Sequence, residues 1–489
     1  MTSLSARTLG SLDGRVAIPR YDRTKVTASV VHLGVGGFHR AHQAVYHDEV
    51  MHRGGSLGWG ICGVGVLPGD VRMRDALTAQ DGLYTVLVKA ADGSVEARVV
   101  GSIVDYLFAP EDPERVIERL AAAETKLVTL TITEGGYLVD DATGEFDTQA
   151  PAVARDLAGD PARPETAFGL VVEALRRRRE RGVAPFTVLS CDNLEHNGEI
   201  ARTAFASFAA HRDAELGAWI RGSVPFPSSV VDRITPATTD ADRATARELL
   251  GGGVEDRVPV VCEPFTQWVI EAGAAGDELP PYADVGVKLA DDVLPHELMK
   301  LRLLNAGHQA LAHLGRLAGH TYVHEAARDP AIGAFLDGYL DREAVPTITG
   351  VPQAELDAFR AAVPERFGNP AIGDTLERLA TDASDRIPKF LLPVVRARLE
   401  AHGDVTHAAT VVAAWAVCAG TLPLTDRRAD ALTERARHRA DDPLAFLQDP
   451  AIFGDLANEP RFTKRYRAAL ESLDTRGVPA TLASLANRP

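Results

Sequence analysis

The chain has 489 residues, more than a single hydrophobic core usually supports, so two domains are expected. Its 45% apolar and 25% charged content is ordinary for a globular protein, and a formal net charge of -16 argues against a nucleic-acid surface or an anionic membrane as the main partner.

The opening stretch MTSLSARTLGSLDGRVAIPR lacks the apolar core of a signal peptide, and no apolar run approaches transmembrane length, which reads as a cytoplasmic protein. Cys62, Cys191, Cys262 and Cys418 are widely separated, without a C-x-x-C pair. They read as buried thiols, not as a disulfide framework or a cysteine zinc site.

From about residue 28 to 240, short β-rich runs alternate with helical stretches, the pattern of a largely parallel sheet covered by helices. The strand candidates are ASVVHLGV, WGICGVGV, LYTVLVKA, KLVTLTIT, FTVLSCDN and SSVVDRI. Helices are expected in DPERVIERLAAAE, with its Asp-Pro start, and in ETAFGLVVEALRRRRERG, whose terminal arginine run reads as a solvated helix end. Pro/Gly-rich AGAAGDELPPYADVG marks a boundary, giving expected domains 1–285 and 286–489. Beyond it LPHELMKLRLLNAGHQALAHLGRLAG, AELDAFRAAVPERF, HAATVVAAWAVCAGTL and RADALTERARHRA read as helices.

The first strand candidate runs into VVHLGVGGFHRAH, with Gly34, Gly36 and Gly37 at its end. Gly34 suits a tight turn, Gly36 removes a side chain where backbone meets a pyrophosphate, and the next helix offers amides to that anion. The third glycine of G-x-G-x-x-G is replaced by His39, which implies a helix that starts differently or sits further from the strand. Asp70 follows the second strand candidate and can accept from a ribose 2'-hydroxyl, which favours NAD; it reads equally as an N-cap for VRMRDALTAQ. Arg72 and Arg74 leave NADP open.

In the helical half, Glu297, Lys300, Asn305 and His308 interrupt an apolar helix. With Lys300 at zero and about 100° per residue, Glu297 falls near about 60°, His308 near about 80° and Asn305 near about 140°, on one side. Such a side is ordinarily a solvated polar face, but an amide and an imidazole are unusual there. A lysine in a partly dry pocket can act as a general base, with Asn and His donating to an oxygen that gains charge. Asn193 ends the strand candidate FTVLSCDN, where a doubly wound sheet presents ligand groups; it reads equally as a turn former with Asp192 and Asn197.

Taken in order, GVGGFHRAHQ, QDGLYTV, TITEGGY, SCDNLEHNG, VVDRITPAT, CEPFTQWVIE, KLRLLNAGH and RIPKFLLP closely resemble the mannitol dehydrogenase family of long-chain polyol dehydrogenases over nearly the whole chain. The family turn reads G-x-G-x-F-H-R-A-H, so the resemblance makes His39 the expected residue. It implies an α/β fold with an N-terminal Rossmann-type doubly wound sheet and a mostly α-helical C-terminal domain, which share a metal-independent site. Phe38 and Glu134 then join Gly34, Gly36, Gly37 and Asp70 as cofactor contacts.

At matching positions Lys300 is implied as the general base, Asn193 and Asn305 as the amides that polarise the reacting oxygen, and His308 as its second holder. Glu297 matches a glutamate of the proton path, Arg378 a substrate-hydroxyl contact and Asp232 part of the substrate wall. Arg386 stands where a lysine is common, and a planar guanidinium is not a point ammonium. The implied reaction interconverts D-mannitol and D-fructose with NAD. Hexuronate reductases, which must also bind a carboxylate, and arabinitol or sorbitol dehydrogenases are the alternatives within the family. A non-catalytic nucleotide-binding protein would lack the lysine or its amides, and here all are present. A small-molecule polyol or ketose is the expected partner of a monomer or small homo-oligomer.

Overall fold

The computed structural model describes residues 2–54, 56–140, 143–273 and 279–486. The chain divides into two compact units, Met1–Ala90 with Ser94–Leu294, and Ala91–Gly93 with Pro295–Pro489.

The first unit is built on a five-stranded parallel sheet of β1 (Val30–Leu33), β2 (Ile61–Gly65), β3 (Ile103–Phe108), β4 (Leu127–Leu130) and β5 (Thr187–Ser190), in the order β3-β2-β1-β4-β5. β1, β2, β4 and β5 are buried along their whole length, which is why they read as continuous runs instead of alternating patterns. The strand order is that of a nucleotide-binding doubly wound sheet, which places ligands outside the carboxyl ends of its strands.

Two further three-stranded sheets flank it in sequence. One joins Val95–Val100, Tyr84–Lys89 and Val260–Cys262; the other joins Lys288–Ala290, Gln267–Glu271 and Ser229–Asp232. The runs LYTVLVKA and SSVVDRI are therefore strands, but of these smaller sheets and not of the parallel one. Conversely IVDYLF, which carries Asp105 and half-buried residues because it lies at the sheet edge, is β3 and gave no clear strand signal.

Helix Pro113–Ala121 starts as its Asp-Pro signature predicts, with the Asp112 carboxylate accepting from Arg115 N. The arginine run ending helix Ala167–Glu180 is not simply solvated. Arg178 is buried and donates to the carbonyls of Ala122, Thr125 and Ala184, while Arg177 pairs with Glu114, Glu118 and Glu173. The run is thus a staple between helices, because one helical face of it points inward.

The second unit is helical. Its centre is helix Thr406–Thr421, buried at every position from Thr406 to Ala419 and packed by Ala306–Leu317, Ala429–Arg437 and Pro460–Ala486. A helix apolar all round must be enclosed. The fully buried carboxylate of Glu343 accepts from His407 N and Ala408 N at its start. All four cysteines are buried and unpaired, and burial pushes the thiols of Cys62 and Cys418 up to about 12 and that of Cys262 up to about 11. Among the described residues no helix is long and apolar enough to cross a membrane.

Candidate active site

The turn after β1 is shaped by one position of positive φ. Gly34 has φ +94°, and a Cβ there would lie 2.1 Å from Thr131 O, so only glycine fits between β1 and β4. Gly36 is different: a Cβ would meet nothing closer than Gly34 O at 3.8 Å, and at Gly37 nothing closer than Val260 at 3.7 Å. The protein itself does not require those two glycines. They keep a cradle open over the first turn of helix Gly37–Ala41, whose first-turn amides have no carbonyl partner within the helix. That fits the pyrophosphate of a dinucleotide.

His39 takes the place of the packing glycine by a different device. Its ring lies flat on that of His32 in β1, centroids 3.4 Å apart at 12°. His32 Nδ1 is 2.7 Å from Thr129 Oγ1 and its Nε2 is 3.0 Å from Thr131 Oγ1, so the lower ring is held by β4 and the residue after it. Burial holds His32 down to about 3 and His39 well below the usual histidine value, keeping the stack uncharged. The rest of the motif ties down the same turn. Phe38 stacks on His42, Arg40 Nε donates to Gly36 O, Arg40 also bonds Val258 O, and His42 Nε2 lies 2.8 Å from Gln267 O. As the missing glycine implied, the helix starts differently: it breaks at His42 (φ -123°, ψ -88°) before Gln43–His52 continues.

Asp70 follows β2, and its Oδ2 accepts from Val66 N and Leu67 N, both at 2.9 Å. It fixes its own loop and does not cap helix Val71–Ala79 through its side chain, which corrects the capping alternative. A cavity of about 640 Å³ opens against this loop, lined by Val66, Leu67 and Pro68 on one side and by Arg155, Arg163 and Glu165 on another. Arg74 is engaged with Asp75 and Glu111, and Arg72 is exposed. Glu134 opens the short turn Glu134–Tyr137 after β4; its side chain lies outside the described residues.

Asn193 stands three residues beyond β5, partly exposed. Its neighbour Asp192 organises the region: the buried carboxylate accepts from Ile132 N at 3.0 Å, Thr133 N at 2.9 Å and Tyr137 Oη at 2.8 Å, holding Thr133 at φ +68°. Asn197 Nδ2 donates to Asp192 O and to Ser229 O, linking the Asn193 loop to the strand that ends in the buried Asp232. Sequence reasoning gave Asp192 and Asn197 only a turn-forming part. The signal available was two side chains with strong backbone-binding habits flanking one proposed ligand group.

In the second unit the polar helix is not uniformly α. Residues Lys300–Asn305 form a π segment between Leu294–Met299 and Ala306–Leu317. In a π turn hydrogen bonds run i to i+5, so residues five apart come close to the same face. The uniform α winding of the sequence reading is corrected for this segment: a π turn advances by a smaller angle per residue, which sets position 305 angularly nearer position 300 than α winding does. π segments interrupting α-helices recur at functional sites.

Lys300 and Glu297 are buried, and the Asn305 Oδ1 atom is buried without a hydrogen-bond partner among the described residues. Amide oxygen and nitrogen are interchangeable in assignment, so either end of this amide can be the one that meets a ligand. His308, partly open at its surface, packs on Phe367 with centroids 4.3 Å apart. Burial first, then Arg378, Arg366, Arg386 and Lys300, hold it well below the ordinary histidine value, hence neutral. The second unit thus sets the cations of Arg378, Arg366, Arg386 and Lys300 in the electrostatic surroundings of the His308 imidazole. Arg378 Nε donates to Asp374 Oδ1 at 2.6 Å and its Nη2 also bonds Asp374, while Arg386 Nη1 donates to Leu379 O at 3.1 Å. Among the described residues no three His, Cys, Asp or Glu side chains are grouped as metal ligands.

Residues 28–281 match the family described as the mannitol dehydrogenase Rossmann domain, and residues 292–474 match the mannitol dehydrogenase C-terminal domain. The chain belongs to the mannitol dehydrogenase family. Relatives in this family include a mannitol 2-dehydrogenase of Pyrenophora tritici-repentis, 40% identical, with 98% of this chain and 85% of the relative covered. The solved Pseudomonas fluorescens mannitol 2-dehydrogenase, in ternary complex with NAD and D-mannitol, superposes with a TM-score of 0.91 at 40% identity over 100% of both chains. A D-sorbitol dehydrogenase in substrate-free form gives a TM-score of 0.88 at 36% identity over 99% of this chain and 100% of the other. In this chain the F-H-R-A-H sequence has a physical account, as the set of side chains that replaces a packing glycine.

Proposed function

We propose that this protein is a metal-independent NAD-dependent polyol dehydrogenase that interconverts D-mannitol and D-fructose. The observation that carries the reading is a buried lysine sharing a π-wound helix face with an amide whose buried end lacks a partner and with a histidine kept neutral. Similarity to a solved mannitol 2-dehydrogenase bound to NAD and D-mannitol supports it.

In this reading the Lys300 amine takes the hydroxyl proton, and Glu297, about one turn earlier, passes it toward solvent. Asn305 and Asn193 donate to the oxygen as charge develops, and neutral His308 adds a donor without another positive charge beside Lys300. Arg378, Arg386 and Asp232 meet substrate hydroxyls. Gly34, Gly36, Gly37 and Phe38 would hold the pyrophosphate and Asp70, in the loop after β2, the adenosine ribose; Glu134 would be a further cofactor contact. When bound, the nicotinamide supplies the hydride acceptor.

The two-pronged bond of Arg378 to Asp374 favours a neutral polyol over a hexuronate, because that guanidinium fork already holds a carboxylate. With its four cysteines unpaired and buried, the protein is read as cytoplasmic, acting as a monomer or small homo-oligomer. Similarity to a D-sorbitol dehydrogenase makes D-sorbitol the competing substrate. A panel of D-mannitol, D-sorbitol, D-arabinitol and hexonates with NAD and NADP, and of D-fructose and keto-hexuronates with NADH and NADPH, followed at the nicotinamide absorbance, tests the reading. The expected result is the highest kcat/KM for D-mannitol with NAD, and absence of polyol-dependent reduction of either cofactor would overturn it.

A further inference from the structure

Two π segments pack together in the second unit, and only one of them carries the proposed chemistry. The first is Lys300–Asn305; the second, Leu340–Ala344, follows helix Pro330–Tyr339 and leads into the 3-10 turn Val345–Thr347. Residues 339–347 form a strap held on two sides. On one side, Tyr339 Oη donates to Arg302 O at 2.9 Å, and Arg302 Nη1 donates to Thr347 O at 2.9 Å. Both bonds fall on Arg302, in the middle of the wide turn that separates Lys300 from Asn305. On the other side, the buried Glu343 carboxylate takes His407 N at 2.6 Å and Ala408 N at 2.9 Å, fixing the strap to the start of the central buried helix.

π turns are rare and occur mostly as single turns inside α-helices, so the contacts that hold one in place are part of its making. Tyr339 is fully buried, so its hydroxyl is a fixed donor and not a surface group in search of water. We propose that Tyr339 is a positioning residue for the polyol reaction, its hydroxyl clamping the backbone of Arg302 so that Lys300 and Asn305 stay on one face. The proposal rests on reading Lys300 and Asn305 as the proton-transfer and oxygen-binding groups. Without the clamp the segment relaxes toward α winding, which turns Asn305 away from Lys300, and misplacement of about an ångström can cost about a hundredfold in rate.

The test compares Tyr339→Phe, Arg302→Met, Tyr466→Phe and Lys300→Ala in the full chain. Tyr466 is a matched control, another buried tyrosine of the same unit whose hydroxyl has no partner among the described residues. For Tyr339→Phe the expected result is kcat for D-mannitol oxidation lowered by about ten- to a hundredfold, a shifted pH profile of kcat, and an unchanged dissociation constant for NAD. Arg302→Met, which removes the second tie, moves kcat and the profile the same way by a smaller factor, and decides the matter should Tyr339→Phe fail to fold. Tyr466→Phe keeps both. Wild-type kcat and pH profile in Tyr339→Phe or, failing its expression, in Arg302→Met, while Lys300→Ala is inactive, overturn the clamp alone. Normal turnover of Lys300→Ala overturns the site reading and the clamp with it.

Discussion

The turn after β1 and the turn at Lys300, the two regions proposed to meet ligand, are made in opposite ways. The first keeps the usual order of strand, glycine turn and helix, with the helix breaking only afterwards at His42, and fills a departure in sequence: where a glycine would let the helix lie close, two uncharged histidine rings stack. The second keeps an ordinary helical sequence and departs in geometry, widening one turn from α to π. A site can therefore be specialised by an unusual residue on a usual backbone, or by the reverse, and only the former is visible in a single sequence.

The sharpest way to separate the two regions is Lys300→Ala. Polyol oxidation should fall by about 10²- to 10⁴-fold while NAD affinity, which belongs to the other unit, stays nearly unchanged. An added primary amine should restore part of the rate. Near-normal turnover with an unshifted pH profile would make Lys300 structural and erase the contrast.

Restoring the missing glycine attacks the other side. His39→Gly removes one ring of the stack, leaves a void over His32 and loosens a helix turn, so about 2–4 kcal/mol of stability should be lost together with NAD affinity. Unchanged thermal unfolding and NAD binding would show that the stack is replaceable by the common packing.

His32 of the stack and the buried His47 of helix Gln43–His52 predict acid sensitivity. Burial holds His32 at about 3 and His47 at about 4 in the folded protein, against an ordinary value of 6.5. The unfolded chain therefore binds protons that the folded chain refuses. The stability contribution is complete above pH 6.5 and is lost as pH falls through the window toward the folded values, at about 1.4 kcal/mol per pH unit for each histidine. Chemical denaturation at several pH values checks the slope; a flat response between pH 6.5 and 4.5 would contradict it.

The smallest effect is expected at Asp70. Asp70→Asn removes the negative charge while keeping the shape, and should shift preference toward NADP by about tenfold or less. A ratio of kcat/KM for NAD and NADP equal to wild type would remove Asp70 from ribose selection.

How far the sequence carried each region follows from these mechanisms. The sheet was legible where strands are buried on both faces, and β3 was not, because an edge strand with Asp105 and Tyr106 loses the continuous apolar signal. Gly34, Gly36 and Gly37 were legible as a turn, while the partner of His39 was not, since His32 reads as an odd polar residue inside a strand until the fold lays it under the helix. Lys300, His308 and Glu297 already share a side under the plain α winding that the sequence suggests. The π winding that resets Asn305 is not recorded in any local periodicity, and the hydrogen bond from Tyr339 to the Arg302 carbonyl within it is a long-range contact. The part of Asp192 is similar: its three partners lie in another loop, about 60 residues earlier.

The distribution of sulfur gives these two units a built-in reporter. Cys62, Cys191 and Cys262 lie in the first unit and Cys418 alone in the second, all enclosed, and burial disfavours the thiolate in each. Since the thiolate is the form that reacts, alkylating reagents and peroxide reach these sulfurs only when the surrounding core opens. Pulse labelling followed by peptide mapping would therefore clock the opening of each unit separately in the unmodified protein, one sulfur timing the helical half and three timing the sheet.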